Sequence, residues 1–333
     1  MHGINFGGWF SQCDHTEKRY DNFIKKEDFE RVARWNFDHV RIPVDYELIL
    51  NHDLSYREDG FKRIADCIDW CREYGLNMVL DLHKTVGYSF DDGEDEAGFF
   101  EDEKYQKIFY HIWEEFSKRF GSNSNLCFEL LNEVTDPSVS DKWNEISYEA
   151  IRHIRKYSSE IDILIGGYYN NSIQAIKDLA LPYDEHIVYN FHCYSPLIFT
   201  HQGAYWIESM DTAFRMPYDS PVSDYLKYTD QNISWGMNDI ILSEDETMSA
   251  EYFERLFAQA LEICRQRNVR VYCGEYGVID RCDRQSTLKW YEDICTVFDR
   301  HEIGRAAWSY KEMDFGLVDA HYDGIREKLI DLM

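Results

Sequence analysis

The chain has 333 residues, 44% of them hydrophobic and 16% aromatic, so it can bury a sizeable core and is not a disordered protein. It carries 62 acidic against 35 basic residues, a formal net charge of -27, which disfavours binding to nucleic acid or to an anionic membrane surface. We therefore expect neutral or cationic partners. No run approaches the roughly 20 apolar residues that cross a bilayer.

Eight apolar, β-rich runs recur along the chain and predict strands. They lie at residues 3–6, 39–44, 76–82, 126–131, 161–166, 187–191, 269–273 and 303–308. Most are almost continuously apolar, as in parallel strands buried on both faces. Helical patterns lie between several of them, at residues 26–36, 61–75, 105–121, 143–158 and 250–268. Strands alternating with helices in this way predict an α/β fold, the (β/α)8 or TIM barrel.

The connection between the sixth and seventh strands is longer than the others. It runs from about residue 194 to residue 269, far more than one helix and its loops need. Its segments "MPYDSPVSDYLKY" and "ISWGMND" are rich in aromatic and turn residues. We expect one barrel domain over residues 1–333, with an inserted subdomain at about residues 200–248 above the C-terminal rim.

The nine cysteines form no C-x-x-C pair and lie in predicted strands and on helix faces, so we expect buried reduced thiols. The N-terminal "HGINFGG" resembles a strand entering a turn, not a secretory signal. We therefore expect an intracellular protein, or a secreted one whose leader is absent from this chain. The sequence does not decide the oligomeric state.

In a TIM barrel, catalytic residues lie where strands end and loops begin, at the C-terminal face. Six of the predicted strands end in polar or aromatic side chains: Arg41, His83, Asn132 with Glu133, His192 with Tyr194, Glu275, and Trp308. We expect these side chains to converge on one rim, whereas purely structural positions would be scattered.

Two of these side chains are glutamates, which predicts acid–base and nucleophilic chemistry on an acetal. Carboxylates about 5–5.5 Å apart can attack a sugar anomeric carbon and protonate the leaving oxygen, with retention of configuration. Arg41 beside Glu275 would hold that carboxylate ionised, and its charge would raise the pKa of Glu133. Asn132 could bond a sugar 2-hydroxyl, and Trp308 could supply an apolar platform for a sugar ring.

The ordered set "VRIP", "DLH", "LLNEV", "FHCY", "CGEYG" and "AAWSYK" resembles glycoside hydrolase family 5, a retaining family that includes endo-β-1,4-glucanases and β-mannanases. The resemblance spans essentially the whole chain. The phrases "VYNFHCYSPLIFTHQ" and "SYKEMDF" are further similar to a bacterial single-domain endoglucanase branch with an insert after strand 6.

This resemblance implies Glu133 as the acid/base and Glu275 as the nucleophile. It also implies a surrounding pocket, formed by Arg41, His83, Asn132, His192, Tyr194 and Trp308. One departure is Lys84, because many relatives carry a second histidine after the strand-3 histidine. Local substrate contacts at that position therefore stay open.

Further candidates are weaker. Trp206 could be another sugar platform, and Trp9, Tyr88, Phe199 and Trp235 could line outer subsites. For Glu129 we expect a structural role, satisfied by a polar partner inside the barrel. Metal-dependent amidohydrolase barrels begin with His-x-His on strand 1, where this chain has "INFGG", so we expect no catalytic metal. The sequence implies no cofactor.

The expected function is endo-acting hydrolysis of a β-1,4-glucan, cellulose-type or mixed-linkage, by double displacement on a polysaccharide or oligosaccharide substrate. Alternatives on the same barrel are a β-mannanase, a β-1,3-glucanase and an exo-glucosidase. A remote alternative is an inactive, sugar-binding barrel. The sequence decides neither the linkage nor endo against exo action.

Overall fold

The computed structural model describes residues 1–91, 97–233 and 239–333. Within them, eight strands close into a barrel in chain order, each parallel to its neighbours, with the last pairing with the first. The strands are β1 His2–Asn5, β2 His39–Asp45, β3 Asn77–Lys84, β4 Leu126–Glu129, β5 Ile163–Ile165, β6 Ile187–Cys193, β7 Arg270–Tyr276 and β8 Gly304–Ala307. The predicted TIM barrel is confirmed, and the eight predicted strands differ from these only at their ends.

Helices cover the outside of the barrel. They are α1 Glu17–Asn22, α2 Lys26–Arg34, α3 Glu58–Tyr74, α4 Glu103–Phe120, α5 Ser140–Ile154, α6 Tyr168–Asn171, α7 Leu197–Thr200, α8 Val222–Asn232, α9 Ala250–Arg267, α10 Arg284–Arg300 and α11 Arg326–Leu332. Gly75 after α3 and Asn268 after α9 adopt the left-handed conformation that closes a helix C-terminus.

The strands are apolar along their length because they are covered on both sides. Every residue of β2 and of β6 is buried, since outward side chains meet the helices and inward ones fill the barrel. Polar side chains in these strands, such as Arg41 and His192, are buried as well and are described below.

The long connection between β6 and β7 holds α7, α8 and α9, and it packs onto the barrel. Ile279 N donates to Thr200 O at 2.9 Å, and Tyr218 N donates to Ser286 Oγ at 3.0 Å. Buried side chains of this connection belong to the same continuous hydrophobic core as those of the strands. The division into a barrel and an inserted subdomain at about residues 200–248 stays a prediction.

All nine cysteines are free thiols, and all but Cys13 and Cys127 are fully buried, as predicted. In the described ranges, no helix combines the length and the apolarity that crossing a membrane requires.

Candidate active site

The C-terminal strand ends bring most of the predicted site residues together. Arg41, His83, His192 and Glu275 lie in β2, β3, β6 and β7. The others follow a strand directly or within a few residues: Asn132 and Glu133 after β4, Tyr194 after β6, and Trp308 after β8. Except for the partly buried Tyr194, all of these side chains are buried.

The two glutamates are close neighbours, with His192 between them. One carboxylate oxygen of Glu133 and one of Glu275 lie within 4.8 Å of each other and of a ring nitrogen of His192. The Nδ1 atom of His192 is 2.7 Å from Oε1 of Glu133 and 3.6 Å from Oε2 of Glu275. This spacing fits the short carboxylate separation of retaining glycosidases, not the roughly 6.5–9.5 Å of inverting ones.

Glu275 is held at both carboxylate oxygens. Oε1 accepts a hydrogen bond from Arg41 Nη1 at 2.8 Å, and Oε2 accepts one from the Tyr194 hydroxyl at 2.9 Å. Both contacts favour the ionised form and fix the direction of the carboxylate. The side chain is thereby oriented as a nucleophile must be.

Arg41 contacts two further carboxylates besides that of Glu275. It forms a bidentate pair with Glu129 through two contacts of 2.7 Å, and its Nη2 lies 3.0 Å from Oδ2 of Asp81. Glu129 therefore has the polar partner inside the barrel that the sequence predicted. Three buried carboxylates share the one guanidinium of Arg41. Its attraction for Glu275 therefore does not offset the effect of burial, which raises the pKa of Glu275. A low pKa for this group, expected from Arg41 alone, is not what the cluster produces.

Asp81 and His83 extend the cluster along β3. Asp81 Oδ2 is 2.5 Å from His83 Nδ1, and burial raises the pKa of Asp81 to about 7. Burial also lowers the pKa of His83 to about 4, so this imidazole is neutral near pH 7. The Asn132 amide lies between His83 and Arg41. Its Nδ2 is 3.3 Å from His83 Nε2, and its Oδ1 accepts a hydrogen bond from Arg41 Nη2 at 3.1 Å.

The indole of Trp308 lies parallel to the His83 ring, with centroids 6.1 Å apart and planes at 6°. Gly7 packs directly against this indole, because a Cβ atom at residue 7 would approach it to 2.6 Å. A residue without a side chain at position 7 thus allows the indole to occupy its place on the rim.

Glu133 sits on a tightly held turn. Its backbone has φ 34, and the Tyr88 hydroxyl donates to its carbonyl at 2.7 Å while accepting from Thr135 N at 2.9 Å. Its Oε2 accepts a hydrogen bond from Asn170 Nδ2 at 2.9 Å. Burial raises the pKa of Glu133, as an acid requires, while the bond from Asn170 opposes that rise.

Sequence reasoning missed Asn170 as a partner of Glu133. The only local signal was "YYNN" after β5, because asparagine tolerates the left-handed backbone found there.

The outer aromatic residues divide into two groups. Trp206 is 44% exposed and meets the edge of His201, whose ring in turn contacts Tyr194. Trp9, Tyr88 and Phe199 are buried, and their roles in outer subsites stay predictions. Trp235 lies outside the described residues.

Two groups of described residues have the spacing of metal ligands: Glu133 with His192 and Glu275, and His15 with Asp45 and Glu47. In each group a cationic side chain already pairs with a carboxylate. Arg41 contacts Glu275, and Lys84 Nζ lies 2.5 Å from Glu47 Oε1. A metal ion would have to compete with these charges, so the chemistry of both groups favours ion pairs.

A closed TIM barrel with two close, buried carboxylates at its C-terminal rim is the arrangement of a retaining glycosidase. The family model "Cellulase (glycosyl hydrolase family 5)" matches residues 3–314. The chain is 46% identical over 304 residues to cellodextrinase A of Ruminococcus flavefaciens, a match that covers 91% of this chain and 83% of that protein. It is 36% identical over 336 residues to endoglucanase C of Acetivibrio thermocellus, covering 99% and 97%.

The chain therefore belongs to glycoside hydrolase family 5 and is a glycoside hydrolase. The predicted family and enzyme class are confirmed. The crystal structure of endoglucanase Cel5A from Thermotoga maritima has the same fold, with a TM-score of 0.77 at 24% identity, covering 99% of this chain and 96% of that one.

Proposed function

We propose that this enzyme cleaves β-1,4-linked glucan internally, with retention of configuration, using Glu275 as nucleophile and Glu133 as acid/base. The observation that carries the proposal is the short distance between the two carboxylates, which have oxygens within 4.8 Å of each other. Their different partners support different roles. Arg41 forms an ion pair with Glu275, whereas the described side chains that bond Glu133 are the neutral Asn170 and His192.

In the first step, a carboxylate oxygen of Glu275 bonds to the anomeric carbon as the bond to the glycosidic oxygen breaks. The proton of Glu133 moves to that oxygen, and the shortened glucan leaves as an alcohol. The products of this step are a glycosyl ester on Glu275 and an ionised Glu133.

In the second step, Glu133 accepts a proton from a water molecule whose oxygen bonds to the anomeric carbon. The ester bond to Glu275 breaks, which restores a carboxylate there and a carboxylic acid at Glu133. Each displacement inverts the anomeric carbon, so the product keeps the configuration of the substrate.

The other rim residues hold the sugar. Asn132, whose amide is oriented by Arg41, is placed to bond a 2-hydroxyl, and the Trp308 indole supplies a face for the apolar side of the ring. Trp206 is an outer platform in this proposal, since nearly half of its surface is exposed. The remaining pocket residues are Arg41, His83, His192 and Tyr194.

A second candidate is hydrolysis of short cello-oligosaccharides in preference to the polymer. It is favoured by the higher identity to a cellodextrinase, 46%, than to an endoglucanase, 36%. Both candidates use the same linkage and the same two glutamates.

The test is sugar release from carboxymethyl-cellulose, mixed-linkage glucan, laminarin, mannan and cellopentaose, with the anomeric form of the first product followed by proton NMR. We expect activity on the first two or on cellopentaose, a β-anomer as first product, and no activity in Glu275→Gln. The matched control is Glu185→Gln, because Glu185 is 89% exposed and precedes the N-terminal end of β6, whereas the site lies at the C-terminal strand ends.

Release from laminarin or mannan alone would contradict the β-1,4-glucan assignment. An α-anomer as first product would contradict the double displacement. Full activity in Glu275→Gln would contradict the role of Glu275 as nucleophile.

A further inference from the structure

The short segment α6 after β5, Tyr168–Asn171, is not a regular helix but a turn with an unusual backbone. Tyr169, Asn170 and Asn171 are consecutive residues in the left-handed region, with φ of 49, 56 and 53. Asparagine adopts this conformation more readily than other residues with side chains, but for an aromatic residue it is strained. Strain of this kind persists only where the surrounding structure enforces it, and it is concentrated at functional sites.

This turn is fastened to the segment that carries Glu133. Tyr169 N donates to Thr135 O at 3.3 Å, and Asn170 N donates to Val134 O at 3.1 Å. The left-handed backbone therefore brings the Asn170 side chain to the turn that follows β4, although 37 positions separate Asn170 from Glu133.

The Asn170 amide makes the two oxygens of Glu133 different. Oε2 accepts the hydrogen bond from Asn170 Nδ2 at 2.9 Å. Oε1 instead faces His192, whose Nδ1 is 2.7 Å away and lies 3.6 Å from Glu275. With Oε2 anchored, Oε1 is the oxygen on the side of the nucleophile, where the bond to be cleaved must lie.

We propose that Asn170 is a positioning residue that fixes the rotation of the Glu133 carboxyl, so that one oxygen faces the glycosidic bond. The inference rests on the proposed function, in which Glu133 is the acid/base. An amide suits this task because it donates to the carboxylate without adding charge. Its N–H also favours the ionised form of Glu133, which limits the rise in pKa that burial causes.

The test variant is Asn170→Gly, since glycine keeps the left-handed backbone without strain and removes only the amide. The measurement is kcat/KM against pH on cellopentaose and on 2,4-dinitrophenyl β-cellobioside, whose leaving group needs no proton. We expect the basic limb to move to higher pH by about one unit, because the bond that favours ionised Glu133 is lost. We also expect kcat/KM to fall about tenfold on cellopentaose and much less on the aryl glycoside.

Two further variants sharpen the result. Asn170→Asp keeps the shape but replaces the donor by a negative charge, and it should move the basic limb further up. Tyr169→Gly relieves the strained neighbour while leaving the amide in place, and it should keep the wild-type pH profile. Melting curves of each variant confirm that the protein is folded.

An unmoved basic limb, with equal losses on both substrates in Asn170→Gly, would overturn the inference and leave the turn with a structural role only. Glu133→Ala belongs in the same series. Undiminished hydrolysis of cellopentaose by that variant, or an inactive wild type, would overturn the proposed function, and this inference with it.

Discussion

The two ends of this barrel each hold a buried polar cluster, and the two clusters are built differently. At the N-terminal end, His39 is fully buried, with Nδ1 2.7 Å from Asp38 Oδ1 and Nε2 2.7 Å from the Tyr272 hydroxyl. Both ring nitrogens have a partner, and burial lowers the pKa of His39, so the ring stays neutral. This end is closed, with every group on the imidazole satisfied.

At the C-terminal end, acids outnumber cations. Three buried carboxylates, those of Asp81, Glu129 and Glu275, contact the guanidinium of Arg41. A fourth, that of Glu133, has an oxygen within 4.8 Å of one of Glu275, and burial raises the pKa of all four. Oδ1 of Asp81 also has no hydrogen-bond partner among the described residues. The comparison indicates that satisfied buried groups stabilise the barrel, while an excess of acids keeps protons available for transfer.

The strongest test of this contrast is Glu133→Ala. We expect kcat/KM on cello-oligosaccharides to fall about 10²- to 10⁴-fold, because the leaving oxygen then receives no proton. Aryl glycosides with good leaving groups should lose far less. Steady-state kinetics over a series of leaving groups measures this, and equal losses along the series would contradict the acid role.

Asp81→Asn tests the excess of acids by its effect on pH dependence. The pKa of Glu275 is raised above the ordinary 4.5, and the nucleophile must be ionised, so activity in the wild type should fall as pH drops through that raised pKa. Because burial raises the pKa of Asp81 to about 7, Asp81 competes with Glu275 for Arg41 only where it is ionised, near and above pH 7. There, Asn in its place leaves Arg41 with two carboxylates instead of three and favours ionised Glu275, so the acidic limb of kcat/KM should move to lower pH, by up to about 0.5 unit.

A pH profile of Asp81→Asn with an unchanged acidic limb would show that Arg41 is not shared in the way the contacts indicate. Asp299→Asn is a suitable control, because that carboxylate pairs with Arg305 and is 58% exposed. It should leave both limbs where they are.

Tyr272→Phe tests the closed end and should have the smallest effect on activity. It removes the hydroxyl that satisfies His39 Nε2, so the free energy of unfolding should fall by about 1–3 kcal/mol while kcat stays near wild type. Urea denaturation and active-site-normalised kcat measure the two quantities. Tyr157→Phe, at a half-exposed position, should change neither, and a large loss of kcat in Tyr272→Phe would break the division between the two ends.

Much of this architecture could be predicted because apolar runs and strand ends are local properties of the sequence. The runs at residues 39–44 and 187–191 are buried on both faces, and Glu133 and Glu275 follow such runs directly. The sharing of Arg41 could not be predicted, because it depends on contacts such as that to Glu275, 234 positions away.

Arg41 also has a consequence for how the ring is assembled. Its contacts reach Asn5 in β1, Asp81 in β3, Glu129 in β4 and Glu275 in β7, so one side chain joins the first half of the barrel to the second. Glu275 can bond the guanidinium of Arg41 only when both halves of the barrel are assembled. If the enzyme were split into two fragments, activity would report closure of the barrel. Each fragment alone would be inactive, and activity would return only after the two fragments recombine.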